Sequence, residues 1–204
     1  MRAVIISGGV INNYDIIKEL IRETDTIICA DSGYDHAVKM GVCTDMLLGD
    51  FDSISHVPED VRSISYPPAK NFTDTELAAD WARGQGFKDF LFLGSTGGRT
   101  DHTLANIFLA AGLSAQGISC EIADEYCRII PIKNASLTIT EPVGTTVSAI
   151  PLDECMGVSN VNMEYPLDNA RLVPETTRGI SNVIIKSPAG ISVSRGTLLC
   201  IIIR

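Results

Sequence analysis

Short apolar runs alternate with segments of helical periodicity through the first 125 residues. Ala3 to Ser7 is apolar and β-branched, and it ends at Gly8-Gly9. Tyr14 to Arg22 places Ile16, Ile17, Leu20 and Ile21 on one face of a helix. Thr26 to Ala30 reads as a second strand ending at Asp31-Ser32-Gly33, followed by a helix from Tyr34 to Met40 that stops at Gly41. Asp45 to Leu48 reads as a third strand, ending at Gly49-Asp50. A helix from Asp74 to Arg83, a strand at Phe90 to Leu93, a helix from Thr103 to Leu113 and a strand at Ile118 to Ala123 complete the series. Strands alternating with helices predict a parallel sheet with helices on its faces.

The pattern changes near residues 124–128. Arg128 to Ile132, Ser136 to Thr140, Thr145 to Ile150, Asn182 to Lys186, Ile191 to Ser194 and Leu198 to Ile203 are short strand-like runs separated by turn residues. They predict a small antiparallel sandwich. The expected fold is therefore an α/β, mostly parallel sheet domain over residues 1–125 and an antiparallel β-sandwich domain over residues 126–204.

Composition narrows the function classes. Of 204 residues, 45% are hydrophobic and 20% charged, enough apolar material for a core and against whole-chain disorder. The formal net charge of −9 argues against a nucleic-acid partner, which calls for a basic face. It leaves phosphate ligands open, because a metal ion can mediate between carboxylates and phosphates. No segment approaches the roughly 18 apolar residues of a membrane span, and the chain opens directly on strand-like sequence without a signal peptide. The six scattered cysteines form no C-x-x-C pair and read as small buried hydrophobes in a reducing compartment. The expectation is a soluble cytoplasmic protein with no membrane partner.

In an open parallel sheet, ligands bind beyond the C-terminal ends of the strands. The polar clusters of this chain fall there. Asp50 and Asp52 are two residues apart, and in an extended segment both carboxylates point the same way. Such a pair repels unless a cation or proton sits between, and oxygen ligands suit magnesium; the competing reading is a loop in which Asp caps turns. Thr73 and Glu76 form a capping box, which needs neither Asp74 nor Lys70 just upstream. In Gly94-Ser95-Thr96-Gly97-Gly98-Arg99-Thr100-Asp101-His102, glycines between a strand and a helix let backbone N–H groups approach phosphate, and Arg99 adds a cationic fork. A tight turn with Asp101 capping the next helix accounts for the glycines but not for Arg99 beside Asp101 and His102. Gly8-Gly9 reads as a turn at most. His36 and His56 have no partner at ligand spacing and read as structural or surface positions, and Trp81 reads as core. Together Asp31, Asp50, Asp52, Asp74 and Asp101 with Lys70 and Arg99 suit a metal–polyphosphate complex and phosphoryl-type transfer.

Taken in order, these segments resemble the thiamine pyrophosphokinase family. The resemblance rests on Ala30-Asp31-Ser32-Gly33, Gly49-Asp50-Phe51-Asp52-Ser53, Thr73-Asp74-Thr75-Glu76-Leu77-Ala78, and Gly97-Gly98-Arg99-Thr100-Asp101-His102 with Asn106. Tyr165-Pro166-Leu167-Asp168-Asn169 and Thr177-Arg178-Gly179-Ile180-Ser181-Asn182 extend it through nearly the whole chain. It implies transfer of pyrophosphate from ATP to the thiamine hydroxyl, giving thiamine diphosphate and AMP, with Mg2+ as cofactor. It also implies a homodimer with thiamine in a cleft between subunits. Asp50, Asp52 and Asp74 would be magnesium ligands, directly or through water. Asp31, Lys70, Gly97, Gly98, Arg99, Asp101 and His102 would lie on the ATP and phosphate side. Asp74 or Asp101 would orient the attacking hydroxyl, and Ser181 and Asn182 would contact thiamine. Two positions depart from the family pattern: Asn71 stands where an Asp is common, and Ser32 where the first of two glycines is common. The competing readings are a pyrophosphokinase for another alcohol, such as a hydroxymethylpterin, and a non-catalytic nucleotide or thiamine sensor.

Overall fold

The buried apolar runs of the N-terminal part pair as parallel strands in a computed structural model that describes residues 1–54, 56, 58–67 and 71–204. The chain divides into two units, Met1–Leu109 with Ile118–Glu125, and Ala110–Gly117 with Tyr126–Arg204. The order of elements in the first part is β1 (Ala3–Ile6), α1 (Tyr14–Lys18), β2 (Thr26–Ala30), α2 (Gly33–Met40), β3 (Met46–Gly49), β4 (Ser63–Ser65), α3 (Asp74–Gly84), β5 (Asp89–Leu93), α4 (Thr100–Ala115) and β6 (Ser119–Ala123). The end of α4, from Ala110, groups with the second unit.

Strands β6, β5, β1, β2, β3 and β4 lie side by side in that order, all parallel. Every residue of β1 is fully buried, as a central strand covered on both faces requires. Val4, Ile6, Cys29, Leu47, Leu91 and Leu93 fall in one core cluster. The strand residues between them, among them Ile5, Ile28, Phe90 and Phe92, are also fully buried, on the opposite face by the period of two. The chain adds strands on one side of β1 through β4, then returns to β1's other side with β5. The order therefore reverses between β1 and β5, and a ligand crevice is expected beyond their C-terminal ends.

The second unit contains β7 (Cys127–Lys133), β8 (Ser136–Ile139), β9 (Thr146–Pro151), β10 (Cys155–Val161), β11 (Ala170–Leu172), β12 (Asn182–Val183), β13 (Ala189–Ser192) and β14 (Thr197–Ile203). They pair antiparallel in the orders β12-β9-β14-β7 and β11-β10-β13-β8. Ile132, Val147, Leu198 and Cys200 from the first set pack with Ile139, Val158, Leu172 and Ile191 from the second in one core. This is the expected α/β arrangement with a separate antiparallel sheet. Among the described residues no helix is long and apolar enough to cross a membrane.

Several elements differ from expectation for local reasons. Helix α1 ends at Lys18 rather than Arg22, because Leu20 N–H turns back to the Ile17 carbonyl and Ile21 N–H to that of Lys18. Strand β10 was not expected: Gly157 adopts φ +64°, and the pairing with β11 shifts register between Cys155 and Val158. A bulge of this kind breaks the alternation that marks a strand. The expected strand from Asn182 narrows to two residues, with Ile184 making only an isolated bridge to Met163.

The start of β1 is tied to the turn before β2 by Arg2. Its guanidinium donates to both Asp25 carboxylate oxygens, at 3.1 and 2.6 Å, and to the Leu20 carbonyl at 2.7 Å. The side chains of Arg2 and Asp25 are 11% and 1% exposed. Burial raises the Asp25 pKa, but the hydrogen bonds from Arg2 and from the Arg22 N–H outweigh it and leave the group below its ordinary range. The pair therefore stabilises the fold fully above the ordinary carboxylate pKa of about 3.9, and the gain disappears as pH falls through the lower folded value. Arg2→Ala is expected to cost about 2–3 kcal/mol in denaturant unfolding at pH 7. The gap from wild type should close under strongly acidic conditions; a gap independent of pH would contradict the assignment.

Candidate active site

The residues after the parallel strands converge on one crevice. Asp31 follows β2, Asp50 follows β3, and Asp74 opens α3. Thr73 caps that helix, its Oγ1 accepting the Glu76 N–H at 3.2 Å, and this fixes the turn from which Asp74 projects. One carboxylate oxygen from each of Asp31, Asp50 and Asp74 lies within 4.8 Å of the other two. Asp31 is buried, and its Oδ1 has no hydrogen-bond partner. Burial pushes its carboxyl above the ordinary range, and the charges of Asp74 and Asp50 push it the same way, against hydrogen bonds from the Ser32 N–H and Ser53. Asp31 also holds a left-handed backbone, φ +46°, a conformation that Asp tolerates better than most residues. A buried carboxylate oxygen without a donor, faced by two more carboxylates, is the environment of a cation ligand.

Asp52 stands outside this group. Phe51 between Asp50 and Asp52 adopts φ +64°, so the segment is not extended and the same-side argument for the pair does not hold. Asp52 is exposed and accepts a 2.6 Å hydrogen bond from the Ser53 hydroxyl.

A cleft of about 490 Å³ opens beside the carboxylates. Its floor is the Gly8-Gly9 turn after β1 and the Gly94–Gly98 loop after β5, the two sides of the strand-order reversal. Asp31, Asp74, Gly97, Gly98, Arg99 and His102 line it. Gly97 and Gly98 take φ +76° and +62°, which glycine adopts without penalty. Under the cleft runs a chain of buried hydroxyls: Ser95 donates to Ser7 at 3.1 Å, and Ser7 lies 2.9 Å from Thr75 Oγ1. Asn106 donates to the Ser95 carbonyl at 2.9 Å, and Thr96 to Asp124 at 2.8 Å. These bonds lock the ends of β1 and β5 to the start of α3. The sequence pattern assigns no role to Ser7, Thr75 or Ser95, because their hydrogen bonds join residues 68 and 88 apart; their only signal is a polar residue at a strand end or helix start.

Arg99 and Asp101 form an exposed two-bonded pair, at 3.1 and 2.6 Å. The Arg99 hydrogen bonds hold the Asp101 carboxyl at about 2, too acidic for effective proton abstraction near neutrality. Asp101 lies within the first turn of α4 rather than capping it, and outside the three-carboxylate group. Lys70 lies outside the described residues.

In the second unit, Ser181 is exposed in a left-handed conformation, φ +59°, and its N–H donates to Ser148 Oγ at 3.0 Å. Asn182 is buried: its Oδ1 accepts the N–H groups of Tyr165 and Val183, both at 2.9 Å, and its Nδ2 donates to the Tyr165 carbonyl at 2.6 Å. The Asn182 side chain thus pins the backbone of Tyr165, a residue that is itself 60% exposed.

A glycine-lined crevice at the switch point of a parallel sheet, with three facing carboxylates, is the kind of arrangement that suits phosphoryl-type transfer. Comparison with known proteins makes the assignment specific. The family model described as thiamin pyrophosphokinase, catalytic domain, matches residues 17–122, and that described as its vitamin B1 binding domain matches residues 137–198. The thiamine pyrophosphokinase of Bacillus subtilis is 30% identical over 97% of this chain and 96% of its own length. A crystal structure of the Bacillus subtilis thiamine pyrophosphokinase matches with TM-score 0.91 at 26% identity, over 100% of this chain and 99% of that one. That of Geobacillus thermodenitrificans matches with TM-score 0.87 at 25% identity, over 100% and 98%. The chain belongs to the thiamin pyrophosphokinase family, and it is an enzyme of the transferase class.

The Ser32 departure has a local explanation. Ser32 has an ordinary φ of −58°, so no glycine is needed there. A Cβ on Gly8 would fall 2.0 Å from Ser32 Oγ, so Gly8 leaves the space that the hydroxyl fills.

The carboxylate group yields a stability prediction. Without a cation, the folded chain carries the Asp31 charge at a cost above its raised pKa, and the cost vanishes at lower pH. Asp31→Asn is expected to melt at or above the wild-type temperature in chelator, and any rise in melting temperature that millimolar Mg2+ gives the wild type should be absent from the variant. An equal Mg2+-dependent rise in both would remove Asp31 from the ligand set.

Proposed function

We propose that this chain transfers the terminal pyrophosphoryl group of magnesium-ATP to the hydroxyl of thiamine, yielding thiamine diphosphate and AMP. The observation that carries the reading is the Asp31, Asp50 and Asp74 group, with its unpartnered buried oxygen, at the mouth of the glycine-lined cleft. An all-oxygen donor set of this charge fits Mg2+. Asp31, Asp50 and Asp74 would hold the ion, with Asp52 on the same loop acting through water. When bound, the ion offsets phosphate charge and carboxylate repulsion.

The chain's own groups supply position. The thiamine hydroxyl oxygen forms a bond to the β-phosphorus; the bond from that phosphorus to the α,β-bridging oxygen breaks, and the oxygen leaves with AMP. Backbone N–H groups of Gly97 and Gly98 and the Arg99 guanidinium are the donors for the phosphate oxygens, with His102 lining the same cleft, and the family resemblance adds Lys70 to this set. Asp74 is better placed than Asp101 to orient the hydroxyl or receive its proton, because it stands in the three-carboxylate group and Asp101 lies outside it. In the second unit, the exposed Ser181 and the exposed Tyr165, whose backbone Asn182 holds, offer a hydroxyl and a flat apolar face to a heterocycle. An acidic site also attracts the cationic thiazolium ring.

The vitamin B1 binding match over residues 137–198 favours thiamine over a pterin alcohol, and the retained carboxylates favour catalysis over sensing. A homodimer in the cytoplasm completes the reading. Leu104 and Phe108, one turn apart on α4, expose 51% and 58% of their surface and offer apolar side chains to a second copy.

The test is the nucleotide product. Incubation with Mg2+ and ATP should give AMP only when thiamine is present, with thiamine diphosphate in equal amount. Asp74→Asn should lower turnover at least about a hundredfold. ADP as product, AMP made without thiamine, or near-wild-type turnover of the variant would each contradict the reading.

A further inference from the structure

Two features read from sequence as inert, the Gly8-Gly9 turn and His36, meet in the structure. His36 lies in the first half of α2, half-buried, between Tyr14 of α1 and the Gly8-Gly9 turn. Its Nε2 is 2.7 Å from the Gly9 carbonyl oxygen, and its Nδ1 is 2.9 Å from the Tyr14 hydroxyl. A carbonyl only accepts, so Nε2 carries the proton and donates it. In the neutral ring Nδ1 is then the acceptor, and the Tyr14 hydroxyl donates to it. Tyr14 thereby fixes the tautomer that the Gly9 bond needs.

The bond matters because of what the next peptide touches. The carbonyl of Gly9 and the N–H of Val10 belong to one planar trans unit and point in opposite directions. His36 holds one end of that unit, and the Thr96 carbonyl accepts from the other at 3.3 Å. The Gly9 N–H donates to the Gly94 carbonyl at 2.7 Å. A Cβ on Gly9 would lie 2.4 Å from the Gly94 oxygen and 2.7 Å from that of Thr96, so the two turns are in backbone contact. The Val10 side chain rests against Gly97 and Gly98, at the distance where a Cβ on either glycine would be in tight contact. A rotation of the Gly9–Val10 peptide would therefore shift the glycines proposed to receive phosphate.

We propose that His36 is a positioning residue for the nucleotide: its Nε2–H clamps the Gly9–Val10 peptide, and through it the Gly97-Gly98 turn, in the arrangement that binds the phosphates of magnesium-ATP. The inference rests on the proposed use of the cleft by ATP. It touches neither the carboxylate group nor the thiamine side, so its effect falls on one substrate.

The test separates it from a merely structural role. His36→Leu removes both hydrogen bonds; His36→Gln places an amide N–H near the position of Nε2 and restores the donor to Gly9. His36→Leu should raise KM for magnesium-ATP about tenfold, the size of one lost buried hydrogen bond, with kcat and the KM for thiamine within about twofold. His36→Gln should return KM for ATP to within about twofold of wild type. The same ratios should appear in calorimetric Kd values for a magnesium-loaded ATP analogue with a methylene bridge between the α and β phosphorus atoms. An unchanged KM for ATP in His36→Leu, a parallel rise for both substrates, or a His36→Gln variant as impaired as His36→Leu would overturn the inference. Should the wild type make no thiamine-dependent AMP, the function reading fails alone, and the analogue Kd values still decide the clamp. An analogue that binds wild type and His36→Leu alike, or binds neither, overturns it.

Discussion

Three carboxylates brought together at the ends of parallel strands repel one another, and the first unit is arranged around that conflict. Burial deepens it: Asp31 is shielded from water, its Oδ1 lacks a donor, and its carboxyl is pushed above the ordinary range. A fold does not keep such a group for its own stability, because hydrophobic or amide side chains of similar size would cost less. The arrangement would become favourable with a divalent cation sharing the three oxygens, as proposed above. On this reading the same interaction that burdens the empty fold supplies the binding free energy for the metal–nucleotide complex.

The surrounding structure keeps the conflict in place. The capping of α3 by Thr73 fixes Asp74, and the buried hydroxyl chain of Ser7, Thr75 and Ser95 ties that helix start to the ends of β1 and β5. The two glycine turns are then joined backbone to backbone at the strand-order reversal, with His36 holding the far end of the Gly9–Val10 peptide. These bonds hold the start of α3 and the two glycine turns in one connected framework, the kind of pre-organisation that transfer of a charged group requires.

Much of this was legible in the chain. Strand and helix alternation gave the parallel sheet, because buried runs such as Ala3–Ile6 and residues 90–93 are apolar on both faces. The ends of those runs located the acidic and glycine clusters. What stayed hidden depended on backbone conformation or on contacts far apart in sequence. The left-handed Phe51 separates Asp50 from Asp52, and no side-chain pattern announces it. Asp31, placed by the resemblance on the phosphate side, joins Asp50 and Asp74 only because β2 and β3 are neighbours in register. Asn182 turns inward to hold Tyr165, 17 residues away, and His36 finds its partners 22 and 27 residues away. Strand β10 was obscured by its bulge at Gly157.

The central claim is that Asp31, Asp50 and Asp74 share one divalent cation. Crystals grown with Mn2+ and a non-cleavable ATP analogue would test it directly through the anomalous scattering of the metal. The account expects a peak with all three carboxylates at about 2.2 Å, in contact with the analogue's phosphates. A fully occupied metal held by Asp52 or Asp101, with no peak among those three carboxylates, would contradict it.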